Sequence, residues 1–198
     1  MPIITNLIRW HDRAFAMAAR LTDGWFLGLF ARFVFFAVLY FYFLNSFGTK
    51  VGAGLAGFFE IQDGAWFQIA PVAVDAAGGD VSAIPFFPWH VIVPLGTYME
   101  FLLPLLVVTG LFTRMASFGM IGFIAVQTLT DIYGHMVDAQ TIGALFDRFP
   151  DSPIADQRLL WVFPLVYLGL NGAGIFSLDA ILARTVNTRA KGIGMAAA

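Results

Sequence analysis

Apolar positions in this chain are gathered into four blocks separated by polar stretches of very unequal length. Residues 25–47 form the first block, broken by one charge, Arg32. At about 1.5 Å per helical residue, 23 residues are enough to cross roughly 30 Å of hydrocarbon. Eight Phe, four Leu and two Val in that block, at about −0.3 to −0.6 kcal/mol each, outweigh one Arg at about +2.5 to +3.5 kcal/mol, so insertion survives the charge. Residues 91–112 supply a second span with Glu100 near its middle, 115–133 a third that turns polar towards its end, and 159–176 a fourth containing Pro164 and Asn171. The pattern predicts an all-α integral membrane protein, a four-helix bundle running up-down-up-down as one transmembrane domain.

Composition agrees with that reading. Of 198 residues, 59% are apolar and 12% charged, against about a quarter charged in soluble domains. The net charge of −2 leaves no basic field for a phosphate backbone, which argues against a nucleic-acid partner. Cysteine is absent, so disulfides, thiolate nucleophiles and Cys-ligated clusters are excluded.

The connections assign sides. Only Thr113 and Arg114 separate the second and third spans, so these two form a tight antiparallel hairpin. The long segments 48–90 and 131–158 carry Glu60, Asp63, Asp75, Asp80, Asp131, Asp138, Asp147, Asp151 and Asp156 against only Lys50, Arg148 and Arg158. Seven of the 11 basic residues, Arg9, Arg13, Arg20, Arg114, Arg184, Arg189 and Lys191, lie on the opposite side. The positive-inside rule then puts both termini in the cytoplasm.

Residues 3–21 are interrupted by Arg9, His11, Asp12 and Arg13 and do not read as a secretory signal. Ile4, Leu7, Ile8, Phe15 and Leu21 share a helical face, the pattern of an amphipathic helix lying at the membrane surface. A second such helix is expected after the fourth span, with Ser177 as its N-cap, Asp179 in its first turn, and residues 190–198 frayed. The first long connection is apolar enough to pack over the bundle, and Phe86, Phe87 and Trp89 suit the outer interface.

Two charges inside spans carry the candidate chemistry. Counted along ideal helices, Arg32 lies about 10 Å and Glu100 about 18 Å from the inner boundary, a difference that two extended side chains can bridge. An Arg32–Glu100 ion pair is therefore expected, because two isolated charges would together cost about 5 to 7 kcal/mol. It serves either as a structural clasp or as a site for an anion, a proton or a quinone headgroup. Pro104, four residues after Glu100, has no N–H to give the Glu100 carbonyl, so a free acceptor is expected beside the carboxylate. Phe33, Phe36, Tyr40 and Phe43 fall at spacings of three or four and fit either a quinone-tail pocket or ordinary packing. His90, His135 and Met136 carry donors that copper or haem accepts, but interfacial histidines explain them as well, and no metal site is assigned.

At Glu100–Arg114, E-F-L-L-P-L-L-V-V-T-G-L-F-T-R, and at Gly172–Leu182, G-A-G-I-F-S-L-D-A-I-L, the chain resembles the DoxX family. The likeness extends over about residues 32–182. It singles out Arg32, Lys50, Glu100, Gly110, Thr113, Arg114, His135, Gly172, Gly174, Ser177 and Asp179, with Ala173 standing where the family pattern has proline. The resemblance implies a four-helix protein of a bacterial or archaeal inner membrane that accompanies redox proteins. Its candidate site residues here are Arg32 and Glu100, with Lys50, Phe36, Tyr40 and His135 as further contacts and a quinone as the candidate cofactor. Three roles are expected in turn: subunit of a redox-linked complex beside a partner protein or another copy of the chain, non-catalytic anchor or assembly factor, and small-solute or metal carrier.

Overall fold

The computed structural model describes residues 2–186. Arg189, Lys191 and the tail expected to fray, 190–198, lie outside the described residues. Within them the chain forms helices and no strand, and three helices are long and apolar enough to cross a membrane: Phe26–Gly48, Phe86–Thr109 and Thr113–Gly134.

In chain order the helices are α1 (Pro2–Thr22), α2 (Phe26–Gly48), α3 (Gly54–Gly57), α4 (Asp63–Ile69), α5 (Pro71–Ala76), α6 (Phe86–Thr109), α7 (Thr113–Gly134), α8 (Ala139–Ile142), α9 (Ala155–Asn171) and α10 (178–186). Both α2 and α7 contain one wide π-helical turn, at Phe36–Tyr40 and at Thr130–Gly134. The apolar residues of α1 that share a face, among them Ile4, Leu7, Ile8 and Leu21, are exposed.

Helix ends are set by local chemistry that hydropathy does not see. The second span begins ahead of expectation: Phe86 is set off by a kink at Phe87 (φ −104°, ψ 134°), and the regular helix starts at Pro88, since a proline at the first helical position needs no N–H. It stops at Thr109 because Gly110 takes φ 69°, a left-handed cap that glycine adopts without strain. The fourth helix also starts early. Ser152 and Asp156 cap it reciprocally: the Ser152 hydroxyl donates to the carboxylate at 2.7 Å and accepts the Asp156 N–H at 3.2 Å. It ends at Asn171, before Gly172 at φ 82°, and is therefore 17 residues long.

The long helices pack in pairs. Helix α9 lies against α7 and α2, and α6 lies against α7 and α2. Phe35, Leu39, Phe43, Val107, Met120 and Leu168 form the dry centre. A second apolar cluster joins α4 and α5, through Trp66, Ala70 and Val74, to Val93 of α6, so the first long connection does pack onto the helices. Hereafter the side of α4 and α5 is called the loop side, and that of the 110–113 turn the hairpin side.

Candidate functional site

Glu100 pairs with Lys50, not with Arg32. The Lys50 ammonium donates to Glu100 Oε2 at 2.8 Å, to the Ser46 hydroxyl at 2.7 Å and to the Ser46 carbonyl at 3.1 Å. Lys50 is 2% exposed and Glu100 6%. The lysine sits just past the end of α2, and its four-carbon stem turns back along the helix to reach the acid. Its own carbonyl accepts the Gln62 N–H at 2.9 Å, which fixes the backbone from which the side chain hangs.

Arg32 is drawn the other way. Its Nε and Nη2 donate to the Val108 carbonyl at 3.1 and 2.8 Å, and Nη1 donates to the Phe176 carbonyl. The cause is the end of α6, where the last carbonyls lack intrahelical donors and the helix dipole is negative, so a guanidinium is held by the helix terminus. Depth counting placed Arg32 and Glu100 within reach of each other but ignored that competing acceptor.

The same terminus explains why the two motif segments occur together. Asp179 accepts the Phe112 N–H at 2.7 Å and the Thr113 N–H at 2.9 Å, and its own N–H donates to the Gly110 carbonyl at 2.8 Å. Gly110 has no room for a side chain, since a Cβ would lie 2.7 Å from Ser177 Cβ and 3.1 Å from the Arg32 guanidinium carbon. Ser177 caps α10 as expected, accepting the Ala180 N–H at 3.2 Å. Asp179 stands in the first turn of its own helix as expected and also caps α7.

Lys50 and Glu100 form part of the wall of a cavity of about 580 Å³ between α2, α6, α7 and α4. Its apolar lining includes Ile69, Ile92, Leu95, Leu103, Phe123 and Val126, and its polar lining includes Ser46, Gln68, Gln127, Asp131 and His135. Leu95, Gly122 and Val126 are exposed on the helix surface, so the cavity also opens sideways between α6 and α7. A Cβ at Gly122 would meet nothing within 4 Å.

The other candidates divide. His135 lines the cavity, with Nε2 3.0 Å from the Gln68 carbonyl. Phe36 and Tyr40 meet each other with centroids 5.5 Å apart and rings tilted by 33°, and are not lining residues; Phe43 is buried in the core. The aromatic residue that α2 does give to the cavity is Tyr42, whose hydroxyl accepts from Gln127 Nε2 at 3.1 Å. His90 packs between the rings of Trp66 and Phe86 at 4.6 and 5.1 Å, and Met136 is exposed. Among the described residues no group of three His, Cys, Asp or Glu is placed to hold a metal ion.

A second, half-buried pair escaped sequence reasoning. Arg158, in the first turn of α9, donates to Asp131 and to the Thr128 hydroxyl. The sequence places Asp131 at the polar end of the third span and Arg158 in the connection just before the fourth, each within a helical turn of a span end, which is the signal that could have joined them.

Chemically, the cavity offers a small polar wall, with one cation and one anion already neutralised against each other, facing apolar surfaces. Comparison with family models, with curated proteins and with solved structures finds no match for the chain.

Proposed function

We propose that the chain is a DoxX-like inner-membrane subunit of a redox-linked complex and that its cavity receives a quinone headgroup beside Lys50 and Glu100. The observation that carries this reading is a buried ion pair in the wall of a cavity that is also bordered by the exposed Leu95, Gly122 and Val126 between α6 and α7. An amphiphile with a compact polar head fits such a site, since ligand pockets are apolar with a few fixed polar groups. Gln127 carries, beside the N–H it gives Tyr42, a second one that a quinone carbonyl accepts from, and Gly122 keeps the side opening clear for the tail. Arg32 has no part in this site.

The architecture that goes with it is four crossings, α2, α6, α7 and α9, running up-down-up-down. Helices α1 and α10 lie in the interface and both termini are cytoplasmic, as the excess of arginine on the hairpin side supports. The partner is a redox protein or another copy of the chain.

The test is titration of purified protein in lipid nanodiscs with a decyl-chain benzoquinone. Wild-type protein binds; Glu100→Gln and Gly122→Leu each raise Kd at least tenfold. Gly122→Leu fills open space and improves helix propensity, so its loss of binding is not a loss of fold. Equal binding by both variants and wild type, or none by wild type, overturns the reading.

A second reading, a non-catalytic anchor or assembly factor, is favoured by one detail: the Lys50 ammonium already has three acceptors within the chain. In that case Glu100→Gln lowers stability in detergent and leaves partner activity intact per folded molecule. A small-solute carrier ranks below both, since it requires access from two sides.

A further inference from the structure

The polar residues of the cavity fall on two stripes of helical spacing. Tyr42, Ser46 and Lys50 follow at intervals of four along and just past α2, and Gln127, Asp131 and His135 do the same at the end of α7. Both stripes lead towards the loop side, where His135 and Gln68 are exposed.

One bond joins stripe to stripe, and α9 and α4 hold the α7 stripe at the next two levels. Gln127 bonds Tyr42, Arg158 holds Asp131, and His135 meets the Gln68 carbonyl. Gln127 Oε1 is buried and has no hydrogen-bond partner among the described residues. On the other side of Glu100 the wall ends in Leu103 and Gly119, whose Cβ position lies 3.0 Å from Leu103 Cδ2. Beyond them are Phe35, Leu39, Val107, Met120 and Leu168, all between 0 and 2% exposed.

Polar and ionisable side chains within a membrane face one another or a water-filled space, and a site holds water when it offers each molecule two to four polar partners. The stripes meet that condition from His135 down to Glu100, and the core beneath does not. We propose that the cavity is a one-sided aqueous path from the loop side to Glu100, a half-channel through which the Lys50–Glu100 pair exchanges protons with that side only. His135 stands at the mouth, and Gln127 and Asp131 hold the water between. The charged or titratable groups that share the cavity with the pair are Tyr42 from α2 and Asp131 and His135 from α7, with Arg158 of α9 reaching it through its bond to Asp131; α4 contributes the uncharged Gln68.

The proposal shares its cavity with the quinone reading but does not depend on the occupant, and its test uses no quinone, so the two fail separately. Because the chain has no cysteine, single-cysteine variants report one position each. Gln127→Cys lies along the path and Met99→Cys beside Glu100. Met120→Cys lies in the core beneath, and Val38→Cys on the exposed apolar face of α2. Each is treated with a membrane-impermeant cationic methanethiosulfonate from one side of oriented vesicles and then from the other.

From the loop side, Gln127→Cys and Met99→Cys react at least tenfold faster than Met120→Cys and Val38→Cys; from the hairpin side none exceeds those two controls. Rates at Gln127→Cys and Met99→Cys no greater than at Val38→Cys overturn the half-channel. Equal reaction from both sides overturns its one-sidedness and supports the carrier reading instead.

Discussion

The two polar nodes of this protein are built from the same materials and differ in what their charges are spent on. On the hairpin side, Arg32 and Asp179 are consumed by the backbone: the guanidinium by the end of α6 and the 172–177 turn, the carboxylate by the start of α7. On the loop side, Lys50 and Glu100 neutralise each other at the edge of open space. A charge facing a helix terminus is a fastener, whereas a pair facing a cavity is available to a ligand. Burial alone does not separate the cases; the identity of the acceptor does.

Lys50→Met should give the largest effect. It strands a buried carboxylate, a loss of about 3 to 5 kcal/mol when one partner of a buried pair is removed. The double variant Lys50→Met/Glu100→Leu should recover most of it, since an apolar pair of similar volume is often neutral or better. Thermal unfolding in detergent reads both. A double variant no more stable than the single one would mean that the node is a fastener after all.

Arg32→Met should come next, at about 1.5 to 3 kcal/mol, the worth of hydrogen bonds from a charged donor, here to the Val108 and Phe176 carbonyls. Quinone binding should not change. Loss of binding at constant stability would erase the distinction between the two nodes.

The smallest effect belongs to a carboxylate outside both. Asp138 accepts the Gln140 and Thr141 N–H groups at 2.9 Å each. The Thr141 N–H first, then its hydroxyl, hold the acid below its ordinary range. Because the folded value is depressed, the contribution is fully present above the unfolded value and is lost as pH falls through the folded one. Hydrogen exchange at Gln140 and Thr141 should therefore rise at acid pH and in Asp138→Ala, while the amides around Lys50 stay protected. A matching rise near Lys50 would couple the nodes to the loops.

Much of the fold was legible because hydropathy is additive along the chain: three of the four expected spans coincide with helices long and apolar enough to cross a membrane, with ends displaced by up to five residues, and the hairpin followed from a connection that hydropathy reads as Thr113 and Arg114 and the structure places at residues 110–112. Ends were less legible, since Gly110 and Gly172 stop helices through backbone conformation while the apolar pattern continues past them. The site was half legible. Glu100 stood out as a charge in a span, but counting residues gives depth and not direction, so the nearest base in depth was chosen over Lys50. Tyr42, Ser46 and Lys50 at intervals of four were visible as a face, yet nothing in their own segment says that Gln127, Asp131 and His135 lie opposite. That is a property of packing, as is the reach of Asp179 to a helix 66 residues away.

The wide turn at Phe36–Tyr40 gives α2 two orientations in one rod. A π turn accommodates one residue more than an α turn, and one residue is worth about 100° of rotation. Phe35, Leu39 and Phe43 keep to the dry centre, while beyond the turn Tyr42, Ser46 and Lys50 face the cavity. Deleting Ala37 would leave the composition and hydropathy of the segment nearly untouched while swinging its polar edge by more than a quarter of a circle. Length, to the single residue, is thus part of the inheritance this helix has to preserve.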